Sequence, residues 1–98
     1  MDKNQIKGRF FFDPKDPIYH YHFPYFPVVP GSLIIGAFLQ AIEKDRELKR
    51  PVIHTFKFMG FTVPGACDYV IEMTDFQGKC QLFQQEKKRA KGVITYAT

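Results

Sequence analysis

The chain has 98 residues, of which 45% are hydrophobic and 16% aromatic, with 11 Phe and 5 Tyr but no Trp. This composition excludes a disordered or low-complexity protein, and the length predicts one domain that spans residues 1–98. The 14 basic and 10 acidic side chains give a formal net charge of +4, which favours acidic partners. No recognised nucleic-acid-binding motif accompanies that charge, so we expect no nucleic acid partner.

Signals of a membrane protein or a metalloprotein are also lacking. Residues 1–5 open no apolar leader, and no apolar run approaches the ~18 residues that a transmembrane helix needs. Cys67 and Cys80 have neither CxxC spacing nor histidines at metal-ligand distances, which predicts free thiols and no metal site. We therefore expect a cytoplasmic protein.

The first third of the chain predicts a short strand and then a stiff loop. Gly8–Phe12 favours a strand, and residues 13–17, Asp-Pro-Lys-Asp-Pro, end it with turn or capping residues. Residues 22–32 read HFPYFPVVPGS, and each proline restricts its own φ angle and the conformation of the preceding residue. We expect this loop to hold His22 in place just before a helix.

A helix is predicted from Ser32, a possible N-cap, to about Arg50. Its first half is apolar on all sides, which is typical of a buried helix, whereas residues 43–47 are polar and must reach solvent. Lys49 and Arg50 suit the negative end of the helix dipole, and Pro51 is expected to stop the helix. At its start, residues 30–32 can expose unpaired backbone N–H groups that favour negative charge.

The rest of the sequence predicts an antiparallel sheet. Tyr69, Ile71 and Met73 alternate with their neighbours and give one apolar face. Hairpin turns are predicted at residues 77–78 (Gln-Gly) and 90–92 (Ala-Lys-Gly). One long helix beside a sheet that can wrap it is an α+β arrangement. The predicted strands are Val52–Phe58, Tyr69–Phe76, Lys79 to roughly Lys87, and Val93–Ala97.

The proline-framed loop resembles the HFPG-x-P-x-x-PG-x-L signature of the hotdog-fold 3-hydroxyacyl-[acyl-carrier-protein] dehydratases. The residues that match are His22-Phe23-Pro24, Pro27, Pro30-Gly31, Leu33 and Gln40, with fainter matches at 56–58 and 63–65. The resemblance implies the hotdog fold, in which one long central helix is wrapped by an antiparallel β-sheet, and it implies a dimer.

The same resemblance implies a carbon-oxygen lyase reaction, the loss of water from a 3-hydroxyacyl thioester. That reaction needs a base, an acid, and hydrogen-bond donors for the thioester oxygen. The resemblance assigns the base to His22 and the oxygen-binding backbone amide to Gly31. No cofactor is implied, because the thioester itself acidifies the proton that is removed.

The chain departs from the family at the position of the acid. The family's glutamate, fourteen residues after the histidine, corresponds to Gly36, which has no proton to give. A glycine inside a helix indicates either close packing or room for something else. The simplest interpretation is that a backbone segment or an aromatic ring packs there and the site is inactive. Gln40, one turn further on the same face, is expected to hydrogen-bond a ligand. Tyr21 and Tyr25 replace family glycines and either narrow the acyl tunnel or supply a hydroxyl.

In the family, each site lies at the subunit interface and takes its histidine from one chain and its glutamate from the other. A homodimer of this chain would have two sites without an acid, whereas a heterodimer with a complete paralogue would have one complete site. The basic residues Lys87, Lys88, Arg89 and Lys91 are either a solvated turn or a docking patch for an acidic acyl carrier protein.

Three functions stay open at this point. The first is a dehydratase or hydratase of fatty acid or polyketide-type biosynthesis, which acts on acyl chains linked to carrier protein or coenzyme A. The second is a non-catalytic subunit that binds acyl thioesters or stabilises a hetero-oligomeric dehydratase. The third is an acyl thioesterase, which is disfavoured because the first two turns of the helix offer no carboxylate to direct water.

Overall fold

One long helix and one antiparallel sheet dominate the computed structural model, which describes residues 4–21 and 27–97 except for the side chains of residues 20 and 21. The elements are β1 (Asn4–Phe12), α1 (Ile18–Tyr21), α2 (Gly31–Asp45), β2 (Lys49–Phe58), β3 (Gly65–Met73), β4 (Gln77–Gln84) and β5 (Lys87–Ala97). The sheet has the strand order β1-β3-β4-β5-β2. This arrangement confirms the predicted α+β class. No helix in the described ranges is long and apolar enough to span a membrane.

Helix α2 buries one face against the sheet. Ile34, Phe38 and Ile42 recur at the four-residue spacing of a single helix face, and each is at most 2% exposed. The ring of Phe38 meets those of Phe10 and Tyr69 edge-on, with centroids 5.1 Å and 6.0 Å away. The predicted apolar face of β3 is confirmed, since Ile71 and Met73 are buried and Tyr69 packs beside them. The sheet contributes Phe12, Cys67, Ile71, Met73, Cys80, Leu82, Ala90, Ile94 and Tyr96 to the core.

Gly92 lets β2 contribute to this core. The ring of Phe56, from β2, lies so close to Gly92 of β5 that an added Cβ would overlap it. Phe56 thereby reaches Phe38, with ring centroids 5.9 Å apart. Because residue 92 is a glycine, the side chain of Phe56 in the edge strand β2 can pack against the central helix α2.

Helix α2 ends at Asp45, five residues before the predicted end. Arg46 already has extended backbone angles, and its Nη1 donates a hydrogen bond to the carbonyl oxygen of Thr74 at 3.1 Å. The Arg46 guanidinium also lies over the ring of Tyr96, 5.5 Å from its centroid. These contacts direct the chain toward the sheet.

The residues predicted to end the helix belong instead to β2. Lys49 pairs with Ala97, and Arg50 and Pro51 lie in an irregular stretch between the paired residues Lys49 and Val52. The prediction that they terminate the helix is therefore wrong. A proline fits here because β2 is an edge strand, where a missing backbone donor is tolerated. The prediction of Ser32 as the N-cap is also wrong, because Pro30 occupies the N-cap position of a helix that starts at Gly31.

Both hairpin turns differ from their predicted positions. The β4–β5 turn is formed by Gln85 and Glu86, with φ of 55° and 63°, and residues 90–92 lie within β5. The β3–β4 turn uses residues 74–77, where Thr74 N donates to the Gln77 carbonyl oxygen at 2.9 Å. Gln77 and Gly78 begin β4. The strands next to both turns therefore begin or end at residues other than the predicted ones.

Candidate functional site

The predicted catalytic loop is only partly described. His22 and Tyr25 lie outside the described residues, so their roles stay predictions. Tyr21 is the last residue of α1, and its side chain is not described. The other predicted ligand-binding residues, Gly31, Gly36 and Gln40, all belong to α2.

The N-terminus of α2 presents backbone donors. The carbonyl oxygen of Pro30 accepts hydrogen bonds from Leu33 N at 3.0 Å and Ile34 N at 3.3 Å, and no side chain caps the helix. Within the described ranges, no acceptor meets the N–H groups of Gly31 and Ser32. At the positive end of a helix dipole, these donors suit a ligand oxygen that carries or develops negative charge.

A cavity of about 440 Å³ opens beside this helix start. The ring of Phe58 forms one wall and lies so close to Gly31 that an added Cβ would be 2.7 Å from Phe58 Cζ. Because residue 31 is a glycine, the ring of Phe58 can lie next to the backbone N–H group of this residue. The cavity suits an apolar ligand with one polar end at the helix. Its lining residues are Val28, Val29, Pro30, Gly31, Ile34, Phe58, Gly60, Phe61 and Thr62.

Gly36 lines a second cavity, of about 410 Å³. An added Cβ at Gly36 would meet no described atom within 4 Å. Within the described ranges, the expectation that a ring or a backbone segment packs against this glycine is therefore wrong, and the alternative, that the glycine leaves room, agrees with the structure. Gln40 is exposed and lines the same cavity, as its spacing from Gly36 predicts.

The two glycines lie on different faces of α2. Five residues at about 100° each place Gly36 about 140° around the helix axis from Gly31. Gly31 shares its cavity with Ile34, whereas Gly36 shares the other cavity with Ser32, Ala37 and Gln40. The Gly31 amide and position 36 of one helix therefore serve separate cavities.

Two loop carboxylates line the second cavity. Asp13 Oδ1 accepts a hydrogen bond from Lys15 N at 2.9 Å, and Asp16 Oδ1 accepts one from Ile18 N at 3.0 Å. These are the turn and capping roles that the sequence predicts. Tyr19 also lines this cavity, and burial, followed by the charge of Asp16, raises the pKa of its phenol. Its hydroxyl therefore stays protonated at neutral pH.

The predicted basic cluster is divided between two environments, and it lies on β5 rather than in a turn. Lys88 and Lys91 line a groove of about 310 Å³ together with Lys79 of β4. Sequence spacing does not connect Lys79 with the other two lysines, because only the β4–β5 register brings them together. Lys87 is exposed at the start of β5.

Arg89 is half-buried and faces the loop that follows β2. Its carbonyl oxygen accepts a hydrogen bond from Met59 N at 2.7 Å, and its Nη1 would be 3.2 Å from a Cβ built at Gly60. Its Nη2 donates to Gln85 Oε1 at 3.4 Å, while its Nε is buried without an acceptor in the described part of the chain. Arg89 thus connects the basic strand to the cavity beside Gly31, which Gly60 also lines.

Comparison with known proteins agrees with this architecture. The family model of the FabA-like domain matches residues 1–77, well over half of the chain. A chain from the dehydratase heterocomplex ApeI:P of Xenorhabdus doucetiae has a similar structure, with a TM-score of 0.83. The two chains are 17% identical, and the similarity covers 99% of this chain and 90% of the other. No curated protein sequence matches. The chain therefore belongs to the FabA-like family and has the hotdog fold.

Proposed function

We propose that this chain is one subunit of a hotdog dehydratase whose partner subunit supplies the acid. In this proposal, the Gly31 amide binds the oxygen of an acyl thioester, and His22 is the base. The observation that carries the proposal is a pair of features on different faces of α2. Its first N–H groups meet no acceptor in the described ranges, while position 36 on the other face offers space and no proton donor.

The proposed reaction needs each of these groups at a different atom. His22 takes the proton from the carbon next to the thioester carbonyl, and the electron pair moves toward the carbonyl oxygen, where the Gly31 N–H stabilises it. The electron pair then returns to form the double bond between carbons 2 and 3 while the bond between carbon 3 and its hydroxyl breaks, and the leaving oxygen takes a proton from the partner's carboxyl group and departs as water. General acid catalysis of this kind contributes about 10²- to 10⁴-fold in rate.

The free edge of β2 supports a partner subunit. β2 ends the described sheet, and nine of its ten residues are exposed, among them Val52 at 50% and Ile53 at 44%. Long sheet edges with apolar side chains are usually covered, because their unpaired backbone groups attract another strand. We propose that a second hotdog subunit covers this edge. The structural neighbour in a dehydratase heterocomplex favours a non-identical subunit.

The substrate in this proposal is an acyl chain carried by an acyl carrier protein, which is acidic, or by coenzyme A. Lys87 and Lys88 are candidate docking charges because Arg89, the next residue, connects this part of β5 to the cavity beside Gly31. Charge reversal at Lys88 should weaken carrier binding, and added salt should weaken it in the wild type. Carrier binding that is unaffected by either change would contradict the docking proposal.

A non-catalytic role is the second candidate, and it is favoured equally by Gly36, where an added Cβ would meet no atom of the described residues within 4 Å. Here the chain would bind an acyl thioester or stabilise its partner, and it would supply no catalytic side chain. The two candidates differ in one respect: only the first makes turnover depend on His22.

The experiment compares the purified chain alone, a FabA-like subunit that retains the helix carboxylate alone, and their complex. Loss of water from a 3-hydroxyacyl thioester is followed by the ultraviolet absorbance of the 2-enoyl product. We expect the chain alone to be at least about 100-fold slower than the complex, because it lacks the acid. A chain that is as active alone as in the complex would contradict the proposal.

A further inference from the structure

We infer that Gln84 is a positioning residue for the Gly31 amide, an inference that rests on the proposed role of that amide. Gln84 is the last residue of β4 and is 8% exposed. Glutamine is rarely so buried, and a buried side-chain amide is costly unless its polar atoms are hydrogen-bonded. Its partners therefore indicate why it is there.

Gln84 binds both backbone groups of one loop residue. Its Oε1 accepts a hydrogen bond from Val63 N at 3.0 Å, and its Nε2 donates to the Val63 carbonyl oxygen at 2.9 Å. Nε2 also lies 3.4 Å from the Sγ of Cys67. A primary amide has the adjacent donor and acceptor that this pairing requires, whereas apolar side chains have neither.

The clamped loop holds the start of α2. Thr62, next to Val63, accepts a hydrogen bond at its carbonyl oxygen from Val29 N at 2.8 Å. Val29 precedes Pro30, the N-cap of α2, and both Thr62 and Val29 are 3% exposed. Residues 59–64 belong to no helix or strand, so such hydrogen bonds fix their position. A connected series of contacts thus runs from Gln84 through the loop to Val29, two residues before Gly31.

Loss of the Gln84 clamp should displace the Gly31 donor rather than remove it. A displacement of about 1 Å in a catalytic group can cost about 10²-fold in rate, comparable to the loss of one oxyanion donor. Because the donor acts on charge that develops during the reaction, the loss should fall mainly on kcat.

The test uses Gln84→Met, which keeps the length of the side chain but removes both hydrogen bonds to Val63. Gln81→Met is the matched control, because Gln81 lies on the same strand but lines the groove that contains Lys79 and Lys88. Its side chain makes no hydrogen bond within the described ranges. The ¹⁵N–¹H resonance of Gly31 is followed during titration with butyryl-pantetheine. The kcat and KM of the complex are then measured with a 3-hydroxyacyl thioester.

We expect Gln84→Met to abolish the response of the Gly31 resonance and to lower kcat about 10- to 100-fold, with KM changed much less. Gln81→Met should behave like the wild type in both measurements. A Gly31 response in folded Gln84→Met that equals the wild type would overturn the inference. An unchanged kcat in spite of a lost response would overturn it as well.

The same titration of the wild type gives a different result if the proposed function itself is wrong. If the Gly31 resonance of the wild type does not respond to butyryl-pantetheine, the role of the amide is wrong, and the inference falls with it. Should Gln84→Met fail to fold, Gln84→Glu replaces it with the same two measurements. That variant keeps an acceptor for Val63 N–H and loses the donor to the Val63 carbonyl oxygen, so we expect a weakened Gly31 response and a reduced kcat.

Discussion

Among single residues, Gly36 has the most direct influence on the chemistry that the fold can support. It stands in the interior of α2, where glycine costs up to about 1 kcal/mol relative to alanine. An added Cβ would meet no described atom within 4 Å, and the glycine lines a cavity of about 410 Å³ into which a longer side chain could extend. A carboxyl group introduced there would share its cavity with Asp13 and Asp16. Neighbouring carboxylates favour the protonated form that an acid catalyst needs.

Gly36→Glu should therefore create activity in the chain alone. We expect the variant to fold with an unchanged or higher free energy of unfolding. It should also dehydrate a 3-hydroxyacyl thioester about 10²-fold faster than the wild-type chain alone. The absorbance of the enoyl product measures the rate, and urea unfolding measures the stability.

Gly36→Gln is the matched control for that prediction. Glutamine fills the same space and improves the helix to a similar degree, but it has no proton to transfer. Equal turnover in the Glu and Gln variants would contradict the assignment of position 36 as the site of the missing acid.

At the scale of secondary-structure elements, the β4–β5 turn contains avoidable strain. Gln85 and Glu86 both have positive φ, a conformation that costs non-glycine residues about 1 kcal/mol each. We expect Glu86→Gly to raise the free energy of unfolding by about 0.5 kcal/mol, because glycine also gains freedom in the unfolded chain. Glu43→Gly, on the exposed face of α2, should lower it by about 1 kcal/mol. Urea unfolding of both variants tests this, and a destabilised Glu86→Gly would contradict the strain argument.

The edge of β2 leads to a prediction about association. Ile53→Lys places a charge on the exposed edge strand, so we expect it to reduce assembly with the partner subunit without unfolding the chain. Phe76→Lys is the control, because Phe76 is 66% exposed but lies in the β3–β4 turn and not in β2. Sedimentation velocity of the mixed subunits measures the complex. Equal loss of assembly in both variants would contradict the role of β2.

The elements also show what the sequence could and could not predict. The alternation around Ile71 and the proline-framed loop predicted the apolar face of β3 and the family, because both are local patterns. The end of α2 depends on the contact of Arg46 with Thr74, 28 residues away, which no local pattern records. The β4–β5 turn uses Gln85 and Glu86 instead of the usual Asn-Gly signal. Only the register of the sheet brings Lys79 next to the lysines of β5, and only the fold brings Gln84 next to Val63.

At the scale of the whole molecule, two buried thiols make the free energy of unfolding depend on pH in the alkaline range. Burial raises the pKa of Cys67 to about 11 and that of Cys80 to about 12, whereas the ordinary value is 9.0. The unfolded chain therefore loses these protons at lower pH than the folded chain. Stability that is fully present below pH 9.0 is lost as the pH rises through 11 and 12.

Cys80→Ala should reduce this pH dependence. Between about pH 8 and pH 10.5 we expect the free energy of unfolding of the wild type to fall by about 2 kcal/mol more than that of the variant. Urea unfolding at the two pH values provides the comparison. Equal losses in the two proteins would show that the Cys80 thiol does not contribute.

The whole assembly is the scale at which the proposed function is decided. The Gly31 amide and position 36 of one helix serve separate cavities, so in the proposed heterocomplex each site combines two chains. One site pairs His22 with the partner's carboxylate, and the other pairs the partner's histidine with Gly36. Only the first contains both a base and an acid.

The most direct measurement compares two histidine variants of that complex in the loss of water from a 3-hydroxyacyl thioester. His22→Ala in this chain should lower turnover by at least about 100-fold, whereas alanine in place of the partner's own motif histidine should leave it nearly unchanged. Retained activity in the His22→Ala complex, with activity lost on removal of the partner's histidine, would contradict the proposal that this chain supplies the catalytic base.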